Sequence, residues 1–310
     1  ESMISELRVV GIDIAKNVFH LVGMDERGKI LVRKRVARGE VMAFMAQQPP
    51  VLVGMEACGG AHYWARRLRE QGHEVKLMAP HYVKPYVKTN KNARRDAEAI
   101  AEAVTRPSMR FVPIKAVDQQ DIQALHRVRE RLIGARTALI NEIRGLLAEY
   151  GIVLPVGVKA FRTAFVETLA AEQAKLTPLS ETLFRKLFEE LEKGDTEIAY
   201  YDEHLQAMAT THPESQRLLT IPGIGPLTAT ALIAAVSDIS VFKNGRQFAA
   251  WLGLVPKQHS TGGQTRLLGI SKRGDSYIRK LLIHGARATL RWAKATTDGR
   301  SQWIQGLLER

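Results

Sequence analysis

Short apolar runs alternate with segments of helical hydrophobic spacing over the first hundred residues. Five runs have the length and composition of strands, at residues 8–13, 19–26, 29–37, 51–57 and 74–80. Apolar residues spaced by three or four predict helices at 39–48, 59–69 and 93–105. Arg27 and Gly28 are predicted to form the turn of a hairpin. Three antiparallel strands followed by alternating helices and parallel strands predict a mixed α/β sheet.

Two long amphipathic helices are predicted in the middle of the chain. Apolar residues recur at steps of three, four or seven from 121 to 150, and a second such stripe runs from 183 to 208. Pro155, Gly157 and Pro178 lie between the stripes, so an antiparallel helical arm is the simplest arrangement. Five arginines lie outside the first stripe, at Arg127, Arg129, Arg131, Arg136 and Arg144. A solvated charged face and a nucleic-acid-binding face explain these arginines equally well.

A glycine-rich turn and an apolar helix open the third region, in the segment TIPGIGPLTATALIAAV. Gly223 and Gly225 allow close backbone approach, and the N–H groups at the start of the next helix can bind a phosphate. The pattern is typical of a helix-hairpin-helix motif, which binds the DNA backbone; a tight helix–helix turn is the alternative. These changes of pattern predict an α/β domain at 1–112, a helical coiled-coil arm at 113–215 and a mainly helical domain at 216–310.

The charge balance indicates a polyanionic partner. The 310 residues include 45 Lys and Arg against 32 Asp and Glu, a formal net charge of +13. A basic soluble enzyme without such a partner is the alternative. A single cysteine, Cys58, excludes a disulfide framework and a zinc cluster. No apolar run approaches the ~18 residues of a membrane span and no signal peptide opens the chain, so a cytoplasmic protein without a membrane partner is expected.

Three acidic residues are candidates for a metal site. Asp13 and Glu56 each follow an apolar strand, and Asp96 lies on the helix after the last strand. Each acid alone is more often structural, but three carboxylates at one end of a sheet can hold hard cations such as Mg²⁺ or Mn²⁺. Two such ions, roughly 3.5–4 Å apart, would bracket a phosphodiester. Neighbouring basic residues are expected to hold the nucleic-acid backbone: Lys84, Lys88, Lys91, Arg94 and Arg95.

Ser260 is a candidate nucleophile in the glycine-rich loop HSTGG. A serine in such a loop is usually a cap or turn residue. Here cationic side chains near it in the sequence can stabilise a phosphate and favour an alkoxide, namely Lys257, His259, Arg266, Lys272 and Arg273. Thr261 is a neighbouring hydroxyl that the spacing does not exclude.

Seven sequence blocks are spread over nearly the whole chain. They are GIDIAK, GMEACGGAHYWARRL, GHEVKLMAPHYVKPYVKTNKN, DAEAI, IPGIGPLTATALIA, AAWLGLVPKQHSTGGQTRLLGISKRGD and LLIHGARA. Together they resemble the DEDD transposases of bacterial insertion sequences. That family is related to the Piv/MooV DNA invertases and includes bridge-RNA-guided recombinases. Because the blocks are long, the resemblance is highly specific.

The resemblance implies a fold and a mechanism. The expected fold is a RuvC-like domain with the RNase H fold, then a helical arm and a C-terminal transposase domain. In the family, an acidic tetrad binds divalent metal, and a serine becomes covalently joined to DNA. A non-coding RNA pairs with donor and target DNA, and dimers or tetramers share active sites between subunits. Asp13, Glu56 and Asp96 match the first, second and fourth acids, and Ser260 matches the nucleophile.

The third acid of the tetrad is absent from this sequence. Where the family pattern KND..DAEAI has aspartate, the chain has Ala93. Either a natural copy has decayed or a metal ligand has been replaced deliberately, and the otherwise intact motifs favour replacement. The family also continues past the segment GLLER into another apolar helix, so the end at Arg310 suggests a truncation or an omitted tail.

Three functions remain to be distinguished. An RNA-guided transposase or recombinase uses both the acids and Ser260. A RuvC-type junction nuclease would use the acids and water, and would leave Ser260 without a role. A non-catalytic RNA- or DNA-binding protein is compatible with Ala93.

Overall fold

The computed structural model describes residues 6–87, 93–236 and 238–309. The chain forms two compact units, Glu1–Ala116 and Val117–Arg310. Each unit contains hydrophobic clusters of its own. Over the described ranges, none of the helices combines the length and the apolar character that crossing a bilayer requires.

A six-stranded mixed sheet forms the centre of the first unit. Its strands are β1 (Val9–Asp13), β2 (Val18–Met24), β3 (Ile30–Ala37), β4 (Leu52–Glu56), β5 (Glu74–Met78) and β6 (Phe111–Val112). The order in the sheet is β3-β2-β1-β4-β5-β6, with β1, β4 and β5 parallel and the other pairs antiparallel. The predicted mixed α/β sheet is confirmed. The two-residue β6 was not predicted, because so short a strand shows no alternation.

Helices cover both faces of this sheet. They are α1 (Val41–Ala46), α2 (Ala61–Glu70), α3 (Pro80–Val83) and α4 (Ala93–Val104). Side chains alternate between the faces along each strand, so Val10 and Ile12 pack in one cluster with α2 while Val9 packs in the other with α4. The three predicted helices of this unit are present, with ends shifted by at most two residues.

Two glycines let α4 lie directly on the central strands. A β-carbon on Gly11 of β1 would overlap with the carbonyl oxygen of Ala97 on α4. On β4, a β-carbon at Gly54 would lie 2.8 Å from Cβ of Val104 and 3.2 Å from Cγ2 of Ile100. Both distances are shorter than ordinary van der Waals contacts. Glycine at these positions therefore sets how closely α4 approaches the sheet.

The second unit consists mainly of helices. They are α5 (Val117–Ala148), α6 (Val158–Ala171), α7 (Pro178–Thr211), α8 (Pro213–Leu219), α9 (Pro226–Ala235), α10 (Gly245–Trp251), α11 (Ser276–Ala295) and α12 (Gly299–Leu308). Two strands, β7 (Pro256–Thr261) and β8 (Gln264–Ile270), form a separate antiparallel hairpin.

The two long helices α5 and α7 run antiparallel, as predicted. Arg129 pairs with Asp202 at 2.5 Å and Arg136 pairs with Asp195 at 3.3 Å, so the partner number falls as the α5 number rises. The helix α6 was not predicted. It buries Phe161 together with other apolar side chains in the cluster formed by these helices.

A buried histidine connects α5, α9 and α11. Nε2 of His126 lies 3.0 Å from the Thr230 hydroxyl, which itself donates to the carbonyl of Pro226 at 2.7 Å. The hydroxyl therefore accepts from Nε2–H, and Nδ1 of His126 accepts from the Tyr277 hydroxyl at 3.0 Å. Burial, with a smaller contribution from Arg129, lowers the pKa of His126 to about 4. The neutral ring thus fixes the first turn of α11 against α5 and α9.

Replacing Gly11 with alanine should separate α4 from β1. We expect Gly11→Ala to lower the free energy of unfolding by about 1–3 kcal/mol, because the added methyl group overpacks the contact with Ala97. Gly39→Ala is the matched control, since nothing lies within 4 Å of a β-carbon there. Urea unfolding of the two variants measures the difference. Equal stability of the two would contradict the role of this contact.

Candidate active site and nucleic-acid interface

Asp13 and Glu56 end two neighbouring parallel strands. The register of β1 and β4 pairs Ile12 with Met55, so the two acids occupy the next position at the same edge of the sheet. Each acid follows a glycine of the α4 contact by two residues, and it therefore projects from the face that α4 covers. Both side chains are half-buried.

Asp96 lies in the first turn of α4. It precedes Ala97, whose carbonyl meets Gly11, and it is half-buried. The first turn of α4 consequently lies over β1 near Gly11, which is two residues before Asp13 on that strand. Ala93 is the first residue of α4, one helical turn before Asp96.

The pKa of the Cys58 thiol depends on both strand-end acids, Asp13 and Glu56. The chain turns directly after β4, where the N–H of Cys58 donates to the carbonyl of Glu56 at 2.9 Å. Partial burial of the thiol raises the pKa of Cys58, and the carboxylates of Glu56 and Asp13 raise it further. Both carboxylates therefore act on one thiol at this edge of the sheet.

The donor chemistry at this edge suits a hard divalent cation. Carboxylate oxygens are the ligands that Mg²⁺ and Mn²⁺ prefer, and Asp13 and Glu56 supply them from adjacent strand ends. Within the described part of the chain, however, no three carboxylate, histidine or cysteine side chains are close enough to form a metal-binding group. With Ala93 in the chain, the helix provides one carboxylate near this edge, that of Asp96.

Two further residues extend the acidic edge and were not predicted from the sequence. His20 on β2 pairs with Asp13, and Arg35 on β3 pairs with His20, so the three side chains share the α4 face. Nδ1 of His20 is buried and has no hydrogen-bond partner among the residues that the structure describes. The hairpin register identifies both positions once the turn between β2 and β3 is known.

The predicted basic residues near Asp96 are partly described. Lys84, Arg94 and Arg95 are exposed, the last two in the first turn of α4. Lys88 and Lys91 lie outside the described residues. The exposed cations therefore flank the first turn of α4, where a nucleic-acid backbone can reach them.

Ser260 lies in a strand, and the expectation of a loop was wrong. It belongs to β7, and Gly262 and Gly263 form the turn to β8 with φ of 55° and 79°. All residues of β7 are exposed, and so are those of β8 up to Gly269. This hairpin packs too little apolar surface to show a strand pattern in the sequence.

The hairpin has two chemically different faces. Ser260 pairs with Thr265 and Gln258 pairs with Leu267, and these four side chains form the neutral face. His259 pairs with Arg266 and Thr261 pairs with Gln264, and these four form the opposite face. Ser260 and Thr261 thus project in opposite directions. Arg266 lies on the side away from Ser260, so the hairpin does not bring these two side chains together.

The base of the hairpin is anchored by close backbone contacts. A β-carbon on Gly253 would overlap with the carbonyl oxygen of Arg273, and one on Gly274 would overlap with that of Trp251. Arg279 of α11 donates to the carbonyls of Leu252 at 3.0 Å and Arg273 at 3.2 Å. The exposed hairpin therefore projects from a rigid base. Arg279 was not predicted from the sequence, because its partners are backbone oxygens.

The surroundings of the hairpin are basic. No Asp or Glu occurs between Asp238 and Asp275, whereas this interval contains six Lys or Arg residues. Lys257, Lys272 and Arg273 are exposed near the base of the hairpin, where Lys272 has a φ of 54°. The residues predicted to bind nucleic acid therefore lie on accessible surface in this segment.

The two glycines of the predicted helix-hairpin-helix motif have different environments. The turn connects α8 to α9, as the pattern predicts. Gly223, with a φ of 86°, packs against Gly285 of α11, where a β-carbon would lie 2.7 Å from its carbonyl oxygen. Gly225 is the N-cap of α9, and nothing lies within 4 Å of a β-carbon there. Close packing between helices therefore explains Gly223, and open space for a ligand remains at Gly225.

Comparisons with known proteins find similarity to transposases in both units. A DEDD transposase family model matches residues 10–152, and the model of the transposase IS116/IS110/IS902 family matches residues 215–301. The chain is 53% identical to a probable family 20 transposase of Pseudomonas aeruginosa, over 97% of this chain and 89% of that protein. It is 49% identical to the transposase for insertion sequence element IS1111A of Coxiella burnetii, over 98% of this chain and 84% of that protein. It is 40% identical to the transposase for insertion sequence element IS1328 of Yersinia enterocolitica, over 97% of this chain and 90% of that protein.

Cys58 can report cation binding at the acidic edge without any assay of activity. A divalent cation held by Asp13 and Glu56 would offset the two negative charges that raise the pKa of the thiol. We therefore expect Mg²⁺ or Mn²⁺ to lower that pKa and to speed alkylation of this single cysteine by iodoacetamide near pH 8.

The control is Glu56→Gln, which removes one of the charges. This variant should be alkylated faster than the parent protein without metal, and its response to added Mg²⁺ should be smaller. Alkylation rates of the parent that do not change with either cation up to 10 mM (roughly ten times the ~1 mM of a weak site) would contradict cation binding at this edge.

Proposed function

Since the chain belongs to the IS116/IS110/IS902 transposase family and is therefore a DNA transposase, we propose that it cuts and rejoins donor and target DNA with the acidic edge and Ser260. The observation that carries this proposal is the arrangement of Asp13 and Glu56 at adjacent strand ends, under the helix that contains Asp96. We also propose that the first unit is a RuvC-like domain with the RNase H fold. The arm at 113–215 and the C-terminal domain at 216–310 are the other parts of the proposed architecture.

The proposed metal ligands are Asp13, Glu56 and Asp96. Bound Mg²⁺ or Mn²⁺ would supply Lewis-acid stabilisation of the phosphodiester that is displaced. The family pattern has the third acid of the tetrad where this chain has Ala93. We therefore propose that this chain is catalytically impaired, because it lacks one of the four ligands.

The proposed nucleophile is the Ser260 hydroxyl. Its Oγ forms a bond to phosphorus while its proton passes to a base, and the bond from phosphorus to a sugar oxygen breaks. That oxygen leaves as a hydroxyl group with a proton from water. Full exposure of the hairpin supports access of DNA to Ser260. The mechanism requires that the acidic edge and the hairpin meet in the assembled complex, within one subunit or across a homodimer or homotetramer.

Several basic residues and two glycines are the proposed nucleic-acid contacts. Between residues 84 and 95 they are Lys84, Lys88, Lys91, Arg94 and Arg95, and in the second unit they are Lys257, Arg266, Lys272 and Arg273, together with Gly223 and Gly225. Of these, Gly223 is supported least, because its contact with Gly285 already explains the glycine. We propose a non-coding guide RNA as a second partner, and the bacterial nucleoid in the cytoplasm as the place of action. The net charge of +13 supports binding of such polyanions.

Restoring the third acid of the tetrad should restore activity. We expect Ala93→Asp to raise the affinity for Mg²⁺ and to allow strand exchange, because a carboxylate there would lie one helical turn before Asp96. The assay contains donor DNA, target DNA and guide RNA. Ala93→Asn is the matched control, since it has nearly the same shape without the charge, and it should remain inactive. Ser260→Ala in the Ala93→Asp protein should abolish exchange.

A folded, RNA-loaded Ala93→Asp protein that remains inactive would count against the metal assignment. Cleavage that survives Ser260→Ala would favour the alternative, a RuvC-type junction nuclease that uses water.

If the protein binds a guide RNA, the purified protein should contain one defined RNA species. We expect sequencing of the bound nucleic acid to give a single structured RNA with segments complementary to two DNA sites. Reversing the charge at Arg94 and Arg95 should reduce the amount bound, because phosphate contacts depend on Lys and Arg. A random mixture of cellular RNA would instead support the third hypothesis, a non-specific nucleic-acid-binding protein.

A further inference from the structure

The neutral face of the hairpin contains one polar contact that concerns the proposed nucleophile. The side-chain amide of Gln258 donates a hydrogen bond from Nε2 to Oγ of Ser260 at 2.7 Å. The two residues are two positions apart on β7, so their side chains share a face. Oγ uses a lone pair in this bond, and its own hydrogen remains available for transfer.

The hairpin itself offers no base to Ser260 on this face. The other side chains there belong to Gln258, Thr265 and Leu267, and none of them accepts a proton at neutral pH. His259 is adjacent in sequence and would be the obvious candidate. It pairs with Arg266 on the opposite face, however, and therefore projects away from the hydroxyl.

From this geometry we propose that Gln258 is the positioning residue for Ser260, and that the base which takes the serine proton comes from outside the hairpin. This inference rests on the proposed function. The Gln258 amide restrains the rotation of the hydroxyl about the Cα–Cβ bond. As a donor to Oγ, it also stabilises the negative charge that develops there as the proton leaves.

The reaction at Ser260 therefore needs no group from the opposite face of the hairpin. Oγ bonds to phosphorus, and its proton passes to a carboxylate of the acidic edge or to a water molecule held there. The bond from phosphorus to the sugar oxygen breaks, and that oxygen takes a proton from water.

The test uses the Ala93→Asp protein with its nucleic-acid partners. Gln258→Met keeps the length of the side chain and removes the donor. We expect the single-turnover cleavage rate at saturating DNA to fall about tenfold to a hundredfold, as for the loss of a donor to a developing oxyanion. The Kd for DNA should stay within about twofold, since a neutral residue that makes no ion pair adds little to the phosphate-dominated affinity. Gln264→Met is the matched control, because it makes the same change at an exposed position on the opposite face, and its rate should be unchanged.

The pH dependence of the rate distinguishes positioning by Gln258 from base catalysis by His259. If the base lies outside the hairpin, His259→Ala should leave the shape of the pH–rate profile as it is. A profile that loses its acidic limb in this variant would identify His259 as the base and overturn the proposal.

A spectroscopic measurement on the protein with Ala93 tests the contact independently of cleavage. In protein labelled with ¹⁵N-glutamine, the side-chain amide signal that disappears in Gln258→Met identifies Gln258. We expect Ser260→Ala to shift this signal, whereas Thr261→Val should leave it in place because Thr261 lies on the opposite face.

The outcomes separate this inference from the proposed function. Failure of the Ala93→Asp protein to cleave DNA with Gln258 intact would defeat the proposed function, and the amide signal would still test the contact. Full cleavage activity in Gln258→Met, or an amide signal unaffected by Ser260→Ala, would overturn the role of Gln258.

Discussion

The acidic site depends on the close contact of α4 with β1 and β4. Gly11 and Gly54 have no β-carbon, so the helix backbone and its small side chains lie directly on the strands. The acids follow these glycines by two positions, which places Asp13 and Glu56 on the same face as the glycines. One packing constraint therefore determines both the direction of the strand-end carboxylates and the height of the Asp96 turn above the sheet. Any side chain at the glycine positions would change both together.

A second constraint governs the serine. The hairpin contacts little of the second unit along its length, and an isolated two-stranded hairpin is marginally stable by itself. Reciprocal glycine contacts at Gly253 and Gly274, with Arg279 bonded to two carbonyls, hold its base. The neutral His126 network in turn fixes the first turn of α11, from which Arg279 projects. A rigid base and an exposed strand leave the Ser260 side chain accessible to solvent.

Much of this architecture could be predicted from the sequence. Continuous apolar runs predicted the strands that end at Asp13 and Glu56, because those strands are buried on both faces. The helix α6 was missed although Phe161, Phe165 and Leu169 recur every four residues, since the flanking glycine and prolines suggested a loop. The strands β7 and β8 could not be predicted, because exposed strands need no apolar alternation. The contact partners of Gly11 and Gly223 depend on which helix crosses each glycine, and only the tertiary structure determines that.

We propose that DNA becomes joined to Ser260 during strand exchange. To test this, the Ala93→Asp protein is incubated with end-labelled nicked DNA, the products are separated on a denaturing gel, and the attached nucleotide is located by peptide mass mapping. We expect a protein–DNA adduct on Ser260 and none on Thr261, because the two hydroxyls project from opposite faces of the hairpin. Efficient strand cleavage without a protein–DNA bond, or an adduct on Thr261, would contradict it.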